Sequence, residues 1–150
     1  MATTFANLLY HIVFSTKDRR PSITADIQKS VYEYMGGILR GEGSILLEIG
    51  GISDHVHLLV KLKTDIALSE AVKKIKGKSS KWLNERPGAT ERFEWQAGYG
   101  AFSVSASLGE KVRTYIRNQE EHHRRLSFKD ELISLLERHG IEYDERYLLG

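Results

Sequence analysis

Two histidines separated by a single residue are the first feature of this sequence that could do chemistry. His55 and His57 lie in an apolar run, and alternate side chains of a strand point to the same face. Both imidazoles would then share one face, with Val56, Leu58 and Val60 on the other. Neutral imidazoles suit first-row divalent ions, and a strand holds them more rigidly than a loop. The pair could bind one metal ion together, but for an isolated pair with this spacing half-buried histidines bonded to backbone or water are the more common case.

A later segment with helical spacing could add a phenol and an amide oxygen to this pair. Gln119 stands where an apolar stripe would normally carry a leucine, and a buried amide is costly unless both of its ends find partners. A metal ion is one partner for the oxygen, and backbone groups are the more ordinary one. Tyr115 lies one turn earlier on the same side. The full stripe is Val112, Tyr115, Ile116, Gln119, His123 and Leu126.

Together these residue types fit one reaction. Two imidazoles and an amide oxygen would leave positions open on a divalent ion, which could polarise a phosphodiester and stabilise the departing oxygen. Tyr115 would attack the phosphorus and form a covalent ester. A free phenol has a pKa of about 10, so positive charge nearby must help it ionise. Because an aryl phosphate ester keeps the bond energy, a cut end could be passed to another strand without ATP.

The same motifs resemble the single-tyrosine HUH transposases, the TnpA type encoded by insertion sequences of the IS200-like group. The histidine pair is followed by the Tyr-x-x-x-Gln spacing of residues 115–119 (YIRNQ), and this combination is specific where each half alone is not. The resemblance covers nearly the whole chain. It also includes residues 10–14 (YHIVF), 16–20 (TKDRR) and 95–100 (WQAGYG).

The resemblance implies a site, a substrate and an assembly. His55, His57 and Gln119 would bind Mg²⁺ or Mn²⁺, and Tyr115 would form a 5′-phosphotyrosine link while releasing a 3′-OH. The substrate would be single-stranded DNA whose imperfect subterminal hairpins mark the element ends. Members of the family form homodimers that join their sheets edge to edge, and the tyrosine helix can complete the partner's histidine site. Whether the tyrosine acts in cis or in trans stays open at this point.

Alternation and helical spacing predict the elements that must position these residues. Their order predicts an α+β fold, a ferredoxin-like or RRM-like split βαβ antiparallel sheet with a C-terminal catalytic helix. The first and third strands would be central, and one face of the sheet would stay open to a ligand, a partner or a later helix. We expect a single HUH transposase domain over residues 1–150. The predicted strands are 7–15, 44–49, 55–62 and 99–105, with a turn at 50–54; the later helices are 110–125 and 128–139.

The charge distribution predicts a polyanionic partner. Net charge is only +2, but residues 61–86 hold eight basic and three acidic residues, whereas residues 129–150 hold three basic and six acidic ones. These lysines could neutralise DNA phosphates, and Tyr99 could stack on an unpaired base. The alternative is an ordinary solvated helix face. The predicted DNA contacts are Lys17, Arg19, Arg20, Lys73, Lys74, Lys76, Lys78, Lys81 and Tyr99.

Other imidazoles and aromatic rings each have two interpretations. His11, on the first strand, could approach the metal, but a hydrogen-bonded core histidine is the more common case. His122 or His123 could reach the site or a phosphate, or could cap a helix end. Trp95 and Phe102 could stack on bases or belong to the core, and we favour the core for Phe102.

Composition limits the remaining possibilities. The chain has no cysteine, which excludes disulfides and Cys-ligated zinc and fits a reducing compartment. No apolar run approaches a membrane span, and the N-terminal segment lacks signal-peptide features. We therefore expect a soluble, cytoplasmic protein that joins the nucleoid during action. Two alternatives are a domesticated relative that cuts DNA without mobilising an element, and a non-catalytic RNA-binding module, although that module would carry exposed aromatics on its central strands instead of histidines.

Overall fold

The computed structural model describes residues 3–150 as a four-stranded antiparallel sheet with helices on both faces. The strand order is β2-β3-β1-β4, so the first and third strands are central, as the sequence predicts. No helix in the described residues is long and apolar enough to cross a membrane. The elements are β1 (Leu9–Ser15), α1 (Ala25–Gly41), β2 (Ile45–Ile52), β3 (His55–Lys61), α2 (Leu68–Glu85), β4 (Gly100–Val104), α3 (Gly109–Arg117), α4 (Gln119–His122) and α5 (Phe128–Arg138).

The main core lies between the sheet and the helices α1 and α2. Ile12 and Phe14 of β1 and Leu58 of β3 point to this side and are 0% exposed. Val31 of α1 and Ile75 of α2 belong to the same buried cluster. Burying one such side chain stabilises the fold by roughly 1.5–3 kcal/mol. Alternation then places the remaining residues of the central strands, the paired histidines included, on the opposite face.

That opposite face is covered by the later helices. The helix α3 packs against β2 and β3. Phe128 and Leu132 of α5 form one buried cluster with Phe102 of β4, and Val13 of β1 belongs to it as well. The sequence left a ligand, a partner or a later helix as possible neighbours of this face, and the structure shows that later helices cover it. The paired histidines are therefore enclosed between the sheet and α3, α4 and α5.

The predicted turn at residues 50–54 is wrong in its first three residues. The strand β2 continues to Ile52, and only Ser53 and Asp54 separate it from β3. Positions 50 and 51 of this strand are glycines, and a larger side chain would not fit at either of them. A Cβ atom on Gly50 would lie 2.1 Å from the carbonyl oxygen of Ile116 in α3. Gly50 thus allows α3 to approach the sheet closely.

The predicted single helix over residues 110–125 is also wrong, because the structure divides it at Asn118. This residue has φ −97° and ψ 24°, so the helical path is interrupted between α3 and α4. Asparagine favours such non-helical positions because its short polar side chain competes for backbone hydrogen bonds. Tyr115 and Gln119 lie on either side of the break.

The close approach of α3 to the sheet predicts a large difference between two glycine substitutions. Gly50→Ala should lower the free energy of unfolding by about 1–3 kcal/mol, because backbone atoms of Ile116 must move away. Gly77→Ala, in α2 with no atom within 4 Å of the added Cβ, should raise it by up to about 1 kcal/mol. Urea unfolding measures both, and equal stability of the two variants would contradict the close approach.

Candidate metal centre and active site

The central strand β3 fixes the backbone that carries the two imidazoles. His55 and His57 are 0% exposed. They pair with Ser15 and Val13 of β1, and Gly50 of β2 pairs with His57 from the other side. Because β3 is hydrogen-bonded along both edges, neither Cα can shift without breaking a ladder. The spacing between the two rings is therefore a property of the sheet.

The carboxylate of Glu131, in α5, lies at the centre of the polar groups on this face. Its side chain is 1% exposed. One oxygen, Oε1, lies 2.8 Å from His57 Nε2 and 3.0 Å from His123 Nε2. The other, Oε2, accepts hydrogen bonds from the Gln119 amide nitrogen at 3.0 Å and from the Tyr115 hydroxyl. One buried carboxylate thus contacts both predicted functional groups of the late helix.

Glu131 is absent from the site residues that the sequence predicts. It occupies an inward position of α5, between Phe128 and Leu135 on the apolar stripe. A buried carboxylate is costly unless it is paired, so an acidic residue inside an apolar stripe is a signal of a specific partner. The acidic residue at an apolar position of the helix could therefore have identified Glu131 as a candidate site residue from the sequence. Which residues it meets depends on how α5 docks.

Two imidazoles of the cluster have both of their ring nitrogens close to oxygen atoms. His55 Nδ1 lies 2.8 Å from Asp54 Oδ1, and His123 Nδ1 lies 2.7 Å from the carbonyl oxygen of Leu126. Both partners are acceptors, so each Nδ1 is the nitrogen that carries the hydrogen, and Nε2 is the nitrogen whose lone pair becomes available when the ring loses its second proton. Both Nε2 atoms lie 2.9 Å from Gln119 Oε1, which is also an acceptor. The arrangement lacks positive charge, which an extra proton or a cation would supply.

His57 is held in a similar way by His11. His57 Nδ1 lies 2.7 Å from His11 Nε2, while His57 Nε2 faces Glu131. His11 is 4% exposed and makes its contact on the side of His57 that points away from the carboxylate. Of the two interpretations of His11, the structure supports the hydrogen-bonded core histidine. Its contact orients the ring of His57.

The pKa values reflect how this cluster balances its charge. Burial alone would lower the pKa of His55, but hydrogen bonds, that to Asp54 foremost, raise it to about 9. Burial lowers the pKa of His57 to about 4. Burial would raise the pKa of Glu131, but the imidazoles hold it well below its usual range. Burial and then the Glu131 charge raise the pKa of Tyr115 well above that of a free phenol.

The donor atoms fit a divalent cation. Four ligand atoms lie within 4.8 Å of one another, and Gln119 Oε1 is a fifth, 2.9 Å from two of them. Neighbouring ligands on an octahedral ion with bonds of about 2.1 Å lie about 3 Å apart, close to these separations. The converging lone pairs are the independent observation in favour of a cation. The four residues are His55, His57, His123 and Glu131.

The structure brings the predicted chemical residues together within one chain. The phenol and the amide reach Glu131, and the strand imidazoles lie within 3.5 Å of the same carboxylate. His123 also contacts Glu131, in agreement with the interpretation that one of the two late histidines reaches the site. His122 Nε2 lies 3.5 Å from Glu131 Oε2. The residues gathered in this way are Tyr115, His55, His57 and Gln119.

A family comparison gives this arrangement its context. The family model described as "Transposase IS200 like" matches residues 4–119. The chain belongs to the IS200-like transposase family. The resemblance seen in the histidine pair and the Tyr-x-x-x-Gln spacing is thereby confirmed.

Relatives of the transposase agree with this assignment. The chain is 29% identical over 126 residues to the transposase for insertion sequence element IS200 of Salmonella typhimurium, covering 81% of this chain and 82% of the relative. It is 24% identical over 119 residues to the ISDra2 transposase TnpA of Deinococcus radiodurans, covering 76% and 85%.

Two solved structures share the fold of the transposase. A crystallised Deinococcus radiodurans R1 protein assigned as a transposase superposes with a TM-score of 0.60 at 23% identity, over 79% of this chain and 95% of the other. The REP-associated tyrosine transposase, solved bound to a REP hairpin, superposes with a TM-score of 0.58 at 12% identity, over 77% and 68%. The predicted α+β antiparallel fold is confirmed.

Seven of the nine predicted DNA contacts of the transposase fall into two groups. Lys73, Lys76 and Tyr99 line one groove of about 450 Å³, and Lys76 Nζ also donates to the carbonyl oxygens of Ala97 and Gly98. Burial lowers the pKa of Lys76 to about 8. The other group is engaged in ion pairs: Lys17 with Glu94, Arg20 with Asp18, and Lys74 and Lys78 with Glu42.

Two of the three aromatic rings that could stack on bases belong to the core. Trp95 is 8% exposed and Phe102 is 4% exposed, so both are core residues. Tyr99 is 41% exposed. The two remaining predicted DNA contacts lie outside both groups: Lys81 is exposed on α2, and Arg19 is half-buried in the loop after β1. The structure thus keeps Tyr99 accessible and removes the other two rings from a stacking role.

A second cavity gives access to the tyrosine of the transposase. It has a volume of about 310 Å³ and is lined on one side by Tyr115 and His11. Lys111 and Arg138 line the same cavity. Because two basic side chains stand beside the phenol, a phosphodiester could approach from this side.

The pKa of His55 predicts how the stability of the metal-free protein depends on pH. Between pH 6.5, the ordinary pKa of histidine, and about pH 9, the folded chain keeps a proton on His55 that the unfolded chain has lost. The free energy of unfolding should therefore fall as the pH rises from 6.5. Lys76 loses its proton near pH 8 in the folded chain and acts in the opposite sense, so the clear window is pH 6.5–8.

Urea unfolding in EDTA at several pH values measures this slope. His55→Gln should flatten the curve in that window. The variant should still lose stability below pH 6.5. The pKa of His57 is lowered in the folded chain, so the unfolded chain takes up the proton first as the pH falls. An unchanged alkaline slope in His55→Gln would contradict the assignment.

Proposed function

We propose that this transposase cleaves and rejoins single-stranded DNA through a covalent 5′-phosphotyrosine at Tyr115. His55, His57 and Gln119 would hold Mg²⁺ or Mn²⁺. One observation carries the proposal: the Tyr115 hydroxyl and the converging donors contact the same buried carboxylate, Glu131. A nucleophile and a cation site within reach of one group form the constellation that a phosphoryl transfer needs.

The residues of the chain have separate roles in this reaction. A divalent cation bound to the donors would polarise the phosphodiester and stabilise charge on the leaving oxygen. Tyr115 attacks the phosphorus and displaces the 3′ oxygen of the upstream strand. Glu131 accepts the hydrogen bond of the phenol and orients it. Because this carboxylate also keeps the phenol protonated, attack requires that its charge be offset by positive charge.

Several features support DNA as the substrate. The cavity beside Tyr115 carries Lys111 and Arg138, and the groove along α2 carries Lys73 and Lys76. A protein of the same fold has been solved bound to a REP hairpin. We therefore propose single-stranded DNA with subterminal hairpins as the substrate and the cytoplasm as the compartment. The grooves supply phosphate contacts, which make affinity salt-dependent.

The assembly that we propose is a homodimer joined through sheet edges. The strand order leaves β2 and β4 at the two edges of the sheet. An edge strand offers unpaired backbone groups to a second copy. The nucleophile and the donors meet within one chain, which supports action in cis in this arrangement.

The two alternatives fare differently. Against an RNA-binding module, the histidine face of the sheet is covered by α3 and α5, and Phe14 of the central strand β1 is 0% exposed. Such modules need exposed rings on the central strands. A domesticated relative would use the same chemistry, and the presence or absence of paired hairpins around the gene separates it from a mobile element.

Loss of the phenol should abolish covalent capture of DNA. We expect wild-type protein, incubated with Mn²⁺ and a single-stranded oligonucleotide carrying the hairpin that flanks its gene, to give a covalent band on a denaturing gel. Tyr115→Phe should reduce this band by at least about a thousandfold, because the variant lacks the hydroxyl that attacks the phosphorus. Tyr147→Phe, at a 72% exposed tyrosine, should leave it unchanged.

The position of the label tests the polarity of the link. A 5′-phosphotyrosine retains the downstream fragment, so a 3′ label should appear on the protein and a 5′ label only on a shortened free strand. The opposite distribution would contradict the proposed link. A covalent band of equal strength from Tyr115→Phe would overturn the assigned nucleophile.

The groove along α2 should contribute to DNA affinity through charge. Lys73→Ala should weaken binding of a single-stranded oligonucleotide and reduce the slope of log affinity against log salt by about 0.7. Lys29→Ala, at an exposed lysine of α1, is the matched control and should change neither value. Fluorescence anisotropy at several salt concentrations measures both, and identical slopes for Lys73→Ala and wild type would remove Lys73 from the interface.

A further inference from the structure

The carboxylate of Glu131 comes from a helix that lies beyond the segment matched by the family model. That segment ends at residue 119, whereas α5 begins at Phe128. We propose that Glu131 is itself a ligand of the divalent cation, so that the C-terminal helix supplies an anionic oxygen to the centre. This inference rests on the cation site of the proposed function and extends it by one residue.

The charge of the donor set is the first reason. His55, His57 and Gln119 are all neutral as ligands, so a divalent cation held by them alone would keep its full charge in a buried site. Burying such a charge without compensation is strongly unfavourable. Glu131 is the carboxylate of the cluster, and it is 1% exposed. Its charge would halve that of the centre.

The chemistry of the proposed ions is the second reason. Mg²⁺ and Mn²⁺ favour carboxylate and other oxygen ligands over an all-imidazole set. Gln119 supplies one oxygen, and Glu131 Oε1 supplies a second on the same side of the imidazoles. With Glu131 the donor set contains two oxygens, one of them anionic, beside the imidazole nitrogens, which suits these ions.

The distances around Glu131 are the third reason. Its Oε1 atom lies 2.8 Å from His57 Nε2, 3.0 Å from His123 Nε2 and 3.5 Å from His55 Nε2. These values cluster near the separation of about 3 Å expected for neighbouring ligands on an octahedral ion. A cation between these atoms would be held by the carboxylate oxygen and the imidazole nitrogens together.

The docking of α5 holds the carboxylate in place before any cation arrives. Phe128 and Leu132, on either side of Glu131, are buried against the sheet. The Ser127 side chain accepts a hydrogen bond from the Asp130 backbone amide and fixes the start of the helix. A ligand on a helix that is packed and capped in this way needs little reorganisation.

Calorimetric titration of metal-free protein with Mn²⁺ tests the proposal directly. Glu131→Gln should weaken Mn²⁺ binding by at least about tenfold, because the charged ligand is lost. Glu137→Gln makes the same chemical change at an exposed position of the same helix and should bind as wild type does. Affinity of Glu131→Gln within twofold of wild type would overturn the proposal.

Two further measurements separate a ligand from a residue that only supports the cluster. Loss of an anionic oxygen should weaken Mn²⁺ binding more than Ni²⁺ binding, since nickel is better satisfied by imidazole; an equal loss for both ions would indicate a structural role and overturn the proposal. In wild-type protein labelled with ¹³C at glutamate Cδ, substoichiometric Mn²⁺ should broaden one resonance before the others. This test needs no variant, and uniform broadening would contradict the proposal.

A third variant distinguishes failure of this inference from failure of the proposed function. His57→Ala should lose Mn²⁺ binding if the cation site exists at all. If His57→Ala loses binding while Glu131→Gln retains it, only the assignment of Glu131 fails. If both variants bind Mn²⁺ as wild type does, the cation site itself is wrong and both proposals fall.

Discussion

The pairing between the Glu131 carboxylate and the imidazoles of the sheet is the interaction on which the rest of this arrangement depends. A buried carboxylate and several buried imidazoles are each unfavourable alone, and each is compensated by the other. The pairing ties α5 to β3, and through Glu131 it orients both Tyr115 and Gln119. The face of the sheet that bears the histidines is thus closed by an electrostatic contact as well as by apolar packing.

The same contact opposes ionisation of the phenol. A negative charge beside a buried hydroxyl stabilises the protonated form, and the pKa of Tyr115 is raised accordingly. In the function that we propose, a cation at the converging donors would offset that charge, so cation binding and activation of the nucleophile would be coupled through one side chain. Such coupling would join the cation, the tyrosine and the C-terminal helix into one functional unit of this IS200-like transposase.

The strand order followed from the split βαβ pattern in which the elements succeed one another. Local periodicity was sufficient to predict the shared face of His55 and His57 and the inward positions of Tyr115 and Gln119. Each of these depends on residues close in the chain. Contacts between distant segments were not predictable in the same way. The role of Glu131 depends on where α5 docks, and the engagement of several predicted DNA-binding lysines depends on acidic partners such as Glu42, which lies 32 residues from Lys74.

The missing side chain at Gly50 has a consequence for the nucleophile. Gly50 pairs with His57 across the sheet and meets the carbonyl oxygen of Ile116, the residue that follows Tyr115. The separation between the backbone that carries the tyrosine and the backbone that carries the imidazole is therefore set where two main chains approach each other. A single added methyl group at position 50 would widen that separation, and no change of rotamer in the surrounding side chains would restore it.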